Sequence, residues 1–165
     1  MTFDVVLSPA TVYLVCVYFA RAQGGGTLQT PIGFMFTTAS SFPPYSVSGN
    51  VLSGSTGVSP AHALVLLSTT PINSGEPTPI SGAIANGAGG YVLSHIPNGT
   101  YYPVAAKDAN GDGNISPENG DVVAFGDSVV VNNANLTGVN LTFMSFAPVP
   151  LAAAIHSADS IGATL

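Results

Sequence analysis

The sequence predicts an all-β protein, a seven- to eight-stranded antiparallel β-sandwich with an extended N-terminal strand. Gly and Pro are frequent, at 19 and 13 of the 165 residues, and both favour turns between strands. Charged residues, which normally fill the exposed faces of helices, make up only 6% of the chain. Short runs rich in Val, Leu and Tyr alternate with turn-forming clusters, a spacing that is typical of a β-sandwich.

Eight runs after residue 46 have the composition of strands. They are residues 47–52, 63–69, 80–85, 90–95, 101–107, 122–125, 129–131 and 139–146. Dipeptides that tolerate positive φ, such as Asn86-Gly87 and Asn98-Gly99, lie between them. We therefore expect the sandwich to span residues 46–147, with a C-terminal tail at residues 148–165.

The charge balance excludes one large class of partners. The formal net charge is −6, and Arg21 and Lys107 are the only Lys or Arg residues in the sequence. Neutralising phosphates or anionic lipid headgroups requires a basic surface, which two residues do not supply. Nucleic acid is therefore not expected as a partner.

Residues 1–22 allow two interpretations. The apolar run at residues 10–20 ends in Ala20-Arg21-Ala22, which resembles the cleavage site of a secretory signal peptide. Two features argue against cleavage. The segment before the run contains Asp4 but none of the basic residues that begin a signal peptide, and Pro9 interrupts a continuous helix. The run is too short to span a bilayer, and its β-branched and aromatic residues suit a buried strand. We expect a structural strand, with a cleaved signal peptide as the alternative.

Residues 23–45 are predicted to connect this strand to the sandwich. Three successive glycines at residues 24–26 indicate a flexible hinge. The following segment, PIGFMFTTASSFPPY at residues 31–45, is aromatic and interrupted by prolines. We expect it to be extended and packed on the domain.

Several strand segments carry a family resemblance. They are VSGNV at residues 47–51, ALVLL at 63–67, GGYVL at 89–93 and IPNGTYYPVAA at 96–106. Because of these motifs, residues 46–127 resemble a carboxypeptidase-regulatory-like, or transthyretin-like (prealbumin-like), β-sandwich. Its architecture is broadly immunoglobulin-like. Such domains are accessory or structural modules rather than catalysts, so the resemblance implies a scaffold. Residues 1–45 lie outside the family pattern.

The residues that follow the predicted strand at 101–107 indicate a calcium site. Asp108, Asn110 and Asp112 alternate along the chain, so their oxygens can point into one loop. Gly113 permits a sharp bend, and the backbone carbonyl of Asn114 takes the next coordinating place, as in an EF-hand loop. Hard cations such as Ca²⁺ prefer this all-oxygen set, whereas Mg²⁺ prefers a smaller octahedral shell.

The loop departs from the EF-hand pattern at its twelfth position, where Asn119 replaces the bidentate Glu. The closing carboxylate must therefore come from another residue. Asp121, just before the next strand, is the first choice, and Glu118 is the second. The alternative is that the Asn-Gly and Asp-Gly pairs only form turns and the carboxylates are solvated.

No motif indicates an enzyme. His62, His95, His156 and the single Cys16 lack the spacing of a zinc site. The sequence has no G-x-S-x-G nucleophile motif. We therefore expect a non-enzymatic protein without an internal disulfide.

Two functions fit these features, and both place the protein outside the cell or at its surface. The first is a calcium-stabilised subunit of an extracellular filament or surface assembly, in which an N-terminal strand adds to the next copy, head to tail. The second is a secreted accessory module that binds carbohydrate. Its stacking surface would be formed by Tyr45, Tyr91, Tyr101 and Tyr102.

Overall fold

The structure is a computed structural model, and it describes residues 6–17, 20–28, 32–71, 74 and 78–144. These residues form ten β-strands and short 3-10 turns, with no α-helix among them. The all-β prediction is therefore confirmed, with ten strands where a sandwich of seven to eight strands and one N-terminal strand were predicted. Within the same ranges, no helix has the length and apolarity that a membrane crossing needs.

The strands agree closely with the predicted runs. In chain order they are β1 Val12–Val17, β2 Ile32–Thr37, β3 Tyr45–Leu52, β4 Leu64–Ser68, β5 Pro79–Ile84, β6 Gly90–Ile96, β7 Gly99–Lys107, β8 Val122–Phe125, β9 Val129–Val131 and β10 Leu141–Thr142. Each of the eight runs after residue 46 corresponds to one of β3 to β10. β1 corresponds to the predicted N-terminal strand, and β2 lies in the segment that was expected only to be extended. The predicted tail at residues 148–165 lies outside the described residues.

The strands from β3 onward form two sheets. One has the order β10-β3-β6, and the other has the order β5-β4-β7-β8 with β9 also paired to β7. All of these pairs are antiparallel except β10 with β3, which is parallel. This pair corrects the fully antiparallel prediction, because strand composition does not reveal the direction in which a returning segment pairs.

Side chains from both sheets are buried in one apolar core. Val47 and Leu93 come from the first sheet, and Leu67 and Ala124 come from the second. At the edges, the buried Ser81 of β5 donates a hydrogen bond from its Oγ to the carbonyl of Ser94 in β6, at 2.9 Å. This bond ties the two sheets together at one side of the core.

The N-terminal strand is part of a hairpin. β1 and β2 pair antiparallel, with Leu14 opposite Met35. At the tip, the backbone N–H of Ala22 donates to the carbonyl of Gly26 at 2.6 Å. The three glycines at residues 24–26, predicted as a hinge, therefore lie in the turn of the hairpin. Between β2 and β3 the chain bends at residues 38–41.

Candidate metal centre

The candidate metal loop connects two neighbouring strands. β7 ends at Lys107 and β8 begins at Val122, and these two residues are paired in the sheet. Asp108 and Asp121 are the first and last residues of the connection. The sheet therefore brings together two carboxylates that are far apart in the loop sequence.

Three aspartates converge in this loop. Asp108, Asp112 and Asp121 each offer one carboxylate oxygen, and these oxygens all lie within 4.8 Å of one another. Asp121 is buried, Asp108 is half-buried and Asp112 is exposed. Oxygens that share one Ca²⁺ lie 2.3–2.6 Å from it, so they are separated by no more than about 5 Å. The arrangement can therefore hold a metal ion.

Backbone hydrogen bonds fold the first half of the loop around Asp108. The N–H groups of Gly111 and Gly113 donate to its two carboxylate oxygens, at 2.6 and 2.8 Å. Both glycines have positive φ, at 79° and 88°, a conformation that costs other residues energy. The N–H of Asp112 donates to Oδ1 of Asn110 at 2.8 Å, which continues the same tight winding. The sequence therefore shapes the loop through short side chains and glycines.

Asp121 sits in a cradle of backbone amides. Its Oδ1 accepts hydrogen bonds from the N–H groups of Ala109 and Asn110, and its Oδ2 accepts one from Ser116 at 2.8 Å. Burial by itself raises the pKa of Asp121, but these three donors outweigh it and lower the pKa below its usual value. The carboxylate is therefore held in its charged form, which is the form that binds a cation.

The other predicted ligands are Asn110, Asn114 and Glu118. Asn110 lies in the loop, where its Nδ2 donates to Oδ2 of Asp112 at 3.3 Å. The backbone N–H of Asn114 donates to Oδ1 of Asp112 at 2.8 Å, and Asn114 itself is exposed. Glu118 is exposed in the 3-10 turn Pro117–Asn119 and does not belong to the aspartate trio. Of the two candidate closing carboxylates, Asp121 is the one near Asp108 and Asp112.

Lys107, the basic residue at the end of β7, bonds to a segment outside the loop. Nζ of Lys107 donates a hydrogen bond to the backbone carbonyl of Ala61, and burial lowers the pKa of this ammonium. Lys107 therefore anchors the loop to another segment through Ala61.

The tyrosines proposed as a carbohydrate surface are largely in the core. Tyr91 and Tyr101 are each only 4% exposed. Their hydroxyl groups donate to the backbone carbonyls of Val139 and Pro97, at 2.5 and 3.0 Å. Tyr45 and Tyr102 are half-buried. The four rings thus do not form one exposed stacking surface.

Comparison with known proteins gives no further assignment. No protein-family model matches the chain, and a search of the curated proteins returns no match. The transthyretin-like resemblance of residues 46–127 therefore stays a prediction.

Proposed function

We propose that the loop between β7 and β8 binds one Ca²⁺ and that the ion stabilises a structural, non-enzymatic β-sandwich module. The observation that carries this proposal is the approach of the Asp108, Asp112 and Asp121 carboxylates to within 4.8 Å of one another. The Asn110 side chain and the Asn114 carbonyl, in the same loop, are the further oxygen ligands.

The donor set favours calcium over other common ions. It consists of carboxylate and amide oxygens, which hard cations prefer, whereas zinc sites use mainly Cys and His. The loop contains neither His nor Cys. Calcium accepts six to eight oxygens in a flexible shell, which suits an irregular loop better than the strict octahedron of Mg²⁺.

Bound calcium would act on the whole domain because the loop joins two paired strands. An ion that binds only the folded state adds about 2.7 kcal/mol to the free energy of unfolding at a concentration a hundredfold above Kd. The melting temperature should therefore rise with calcium and fall with chelator.

A matched pair of variants tests this stabilisation. Asp112→Ala removes the ligand oxygens from the exposed part of the site, and Asp127→Ala removes another exposed carboxylate outside it. The calcium-dependent rise in melting temperature should be lost in Asp112→Ala and kept in Asp127→Ala. Absence of the rise in the wild-type protein would reject a stabilising calcium site.

The biological role that best fits this module is a subunit of an extracellular filament or surface assembly. Only 6% of the residues are charged, against about a quarter in typical soluble proteins. Large apolar side chains are more than half exposed, at Ile32, Phe34, Val92 and Val130. Contacts between copies would bury such a surface.

The sandwich architecture of the module is supported by the core that the β10-β3-β6 sheet shares with the β5-β4-β7-β8 sheet.

Negative-stain electron microscopy of the purified protein tests this role. With calcium present, we expect open-ended assemblies at high protein concentration. A protein that stays monomeric under these conditions would support the alternative, a secreted accessory module whose residues 1–22 are cleaved. The burial of Tyr91 and Tyr101 weakens the carbohydrate-binding form of that alternative.

A further inference from the structure

The β1–β2 hairpin packs on a glycine of β5, the edge strand of the second sheet. A Cβ atom added to Gly82 in β5 would lie only 2.5 Å from Cδ2 of Leu14 in β1. It would also lie 2.9 Å from Cδ2 of Leu66, so the Leu14 side chain occupies space that any larger residue at position 82 would take. On the other strand, Sδ of Met35 lies 3.7 Å from Oγ of Ser81. We call this surface of β5 the Gly82 seat.

The hairpin is a self-contained unit. Among the described residues, its backbone hydrogen bonds run between its own two strands and close with the N–H of Thr38 donating to the carbonyl of Thr11 at 3.0 Å. A cleft of about 570 Å³ lies between the hairpin and the rest of the domain. Contact with the domain is therefore incomplete. Separating the two would break the contact between Ser81 and Met35 but leave the backbone hydrogen bonds of the hairpin intact.

The chain bends at the base of the hairpin, and we call residues 39–41 the pivot. Residues 38–41 form bends outside any strand, and Thr38, Ser40 and Ser41 are exposed. The next residue, Phe42, stacks on His95 of β6 with ring centroids 3.8 Å apart. A change of direction at residues 39–41 would therefore swing the hairpin while Phe42 keeps the following segment in place.

We propose that the hairpin is exchanged between copies of the chain, so that the β1–β2 hairpin of one molecule occupies the Gly82 seat of the next. This inference rests on the proposed assembly role and names its contact. The occupant is a second copy because the structure already seats this same hairpin there, and exchange reproduces in trans the contacts of Leu14 and Met35 with the seat. Non-reciprocal exchange does not close on itself, so it produces an open chain of molecules.

Cysteine cross-linking in the full-length protein tests the exchange. The variant carries Leu14→Cys and Gly82→Cys, with Cys16→Ser to remove the native thiol. Replacing Leu14 also removes the side chain that would collide with a new Cβ at position 82. After treatment with a short thiol-to-thiol cross-linker, denaturing gels should show a ladder of covalent multimers. Cross-linking confined to single chains would overturn the inference.

A matched control replaces the seat with an open position. Gly87 has no heavy atom within 4 Å of an added Cβ, so Leu14→Cys with Gly87→Cys in the same background should give no ladder. Microscopy of the same samples separates the two proposals. Filaments with only intrachain cross-links would reject the hairpin exchange and keep the assembly role, whereas monomers with intrachain cross-links would reject both.

A second variant keeps the test decisive if the cysteine protein does not fold. Insertion of a flexible Gly-Ser segment between Ser40 and Ser41 lengthens the pivot and makes it easier for the hairpin to fold back on its own domain. Sedimentation should then show several-fold less assembled protein than the wild type at equal concentration. An unchanged assembled fraction would contradict the exchange.

Discussion

The backbone N–H of Ala109 donates a hydrogen bond to Oδ1 of Asp121 at 2.8 Å, which ties the beginning of the acidic loop to its last residue. Because Asp121 directly precedes β8 and is 1% exposed, this contact fixes a charged group at the edge of the folded core. The loop thus has a defined shape from its own hydrogen bonds, and a cation would bind to carboxylates that are already close together.

Acid should destabilise the metal-free protein through Asp121. Its pKa in the folded protein lies below the usual value because backbone donors outweigh the effect of burial. A carboxyl group with a lowered pKa contributes stability above its unfolded pKa of about 3.9, and this contribution is lost as pH falls through the folded pKa. Denaturant unfolding in chelator, from about pH 6 to about pH 2, measures the loss. Asp121→Asn should be less stable at pH 6 and show a flatter profile, and identical profiles would refute the prediction.

Alkaline pH should destabilise the protein through Tyr91. Burial raises the pKa of its hydroxyl group to about 12. A group with a raised pKa contributes stability below its unfolded pKa, near 10 for Tyr, and loses this contribution as pH rises through the folded pKa. The free energy of unfolding should fall above about pH 10 in the wild type and less steeply in Tyr91→Phe. Equal slopes in the two proteins would show that Tyr91 does not carry the effect.

Gly49→Ala should disrupt the parallel contact between β3 and the segment before β10. The added Cβ would lie 1.8 Å from the carbonyl oxygen of Val139, whose N–H donates to the carbonyl of Ser48. Backbone atoms would have to move, so we expect a loss of about 2–3 kcal/mol in the free energy of unfolding. Gly87→Ala is the control, with no atom within 4 Å and an expected change of no more than about 0.5 kcal/mol. Similar losses in both variants would contradict this account.

Strand positions were largely predictable because they depend on local composition. The predicted runs at residues 122–125 and 129–131 coincide with β8 and β9. Strand pairing was less predictable, because it is set by contacts between distant residues. The pairing of Leu141 in β10 with Val51 is parallel, and no local pattern distinguishes this from an antiparallel pair.

The candidate site shows the same division between local and distant information. The alternation of Asp108, Asn110 and Asp112 is visible in the sequence and identified the loop. The amide cradle of Asp121 was not predicted, because backbone N–H groups have no signature in the side chains. Composition also predicted a hinge at the three glycines, and the pairing of β1 with β2 places them in a turn, which composition alone does not reveal.

Calorimetric titration of the chelator-treated full-length protein with Ca²⁺ tests the central claim most directly. We expect a heat of binding that saturates at about one Ca²⁺ per chain, because one loop supplies the oxygen ligands. Asp112→Ala should abolish this heat, and Asp127→Ala should retain it. No heat of binding in the wild-type protein, or full binding in Asp112→Ala, would contradict the calcium site.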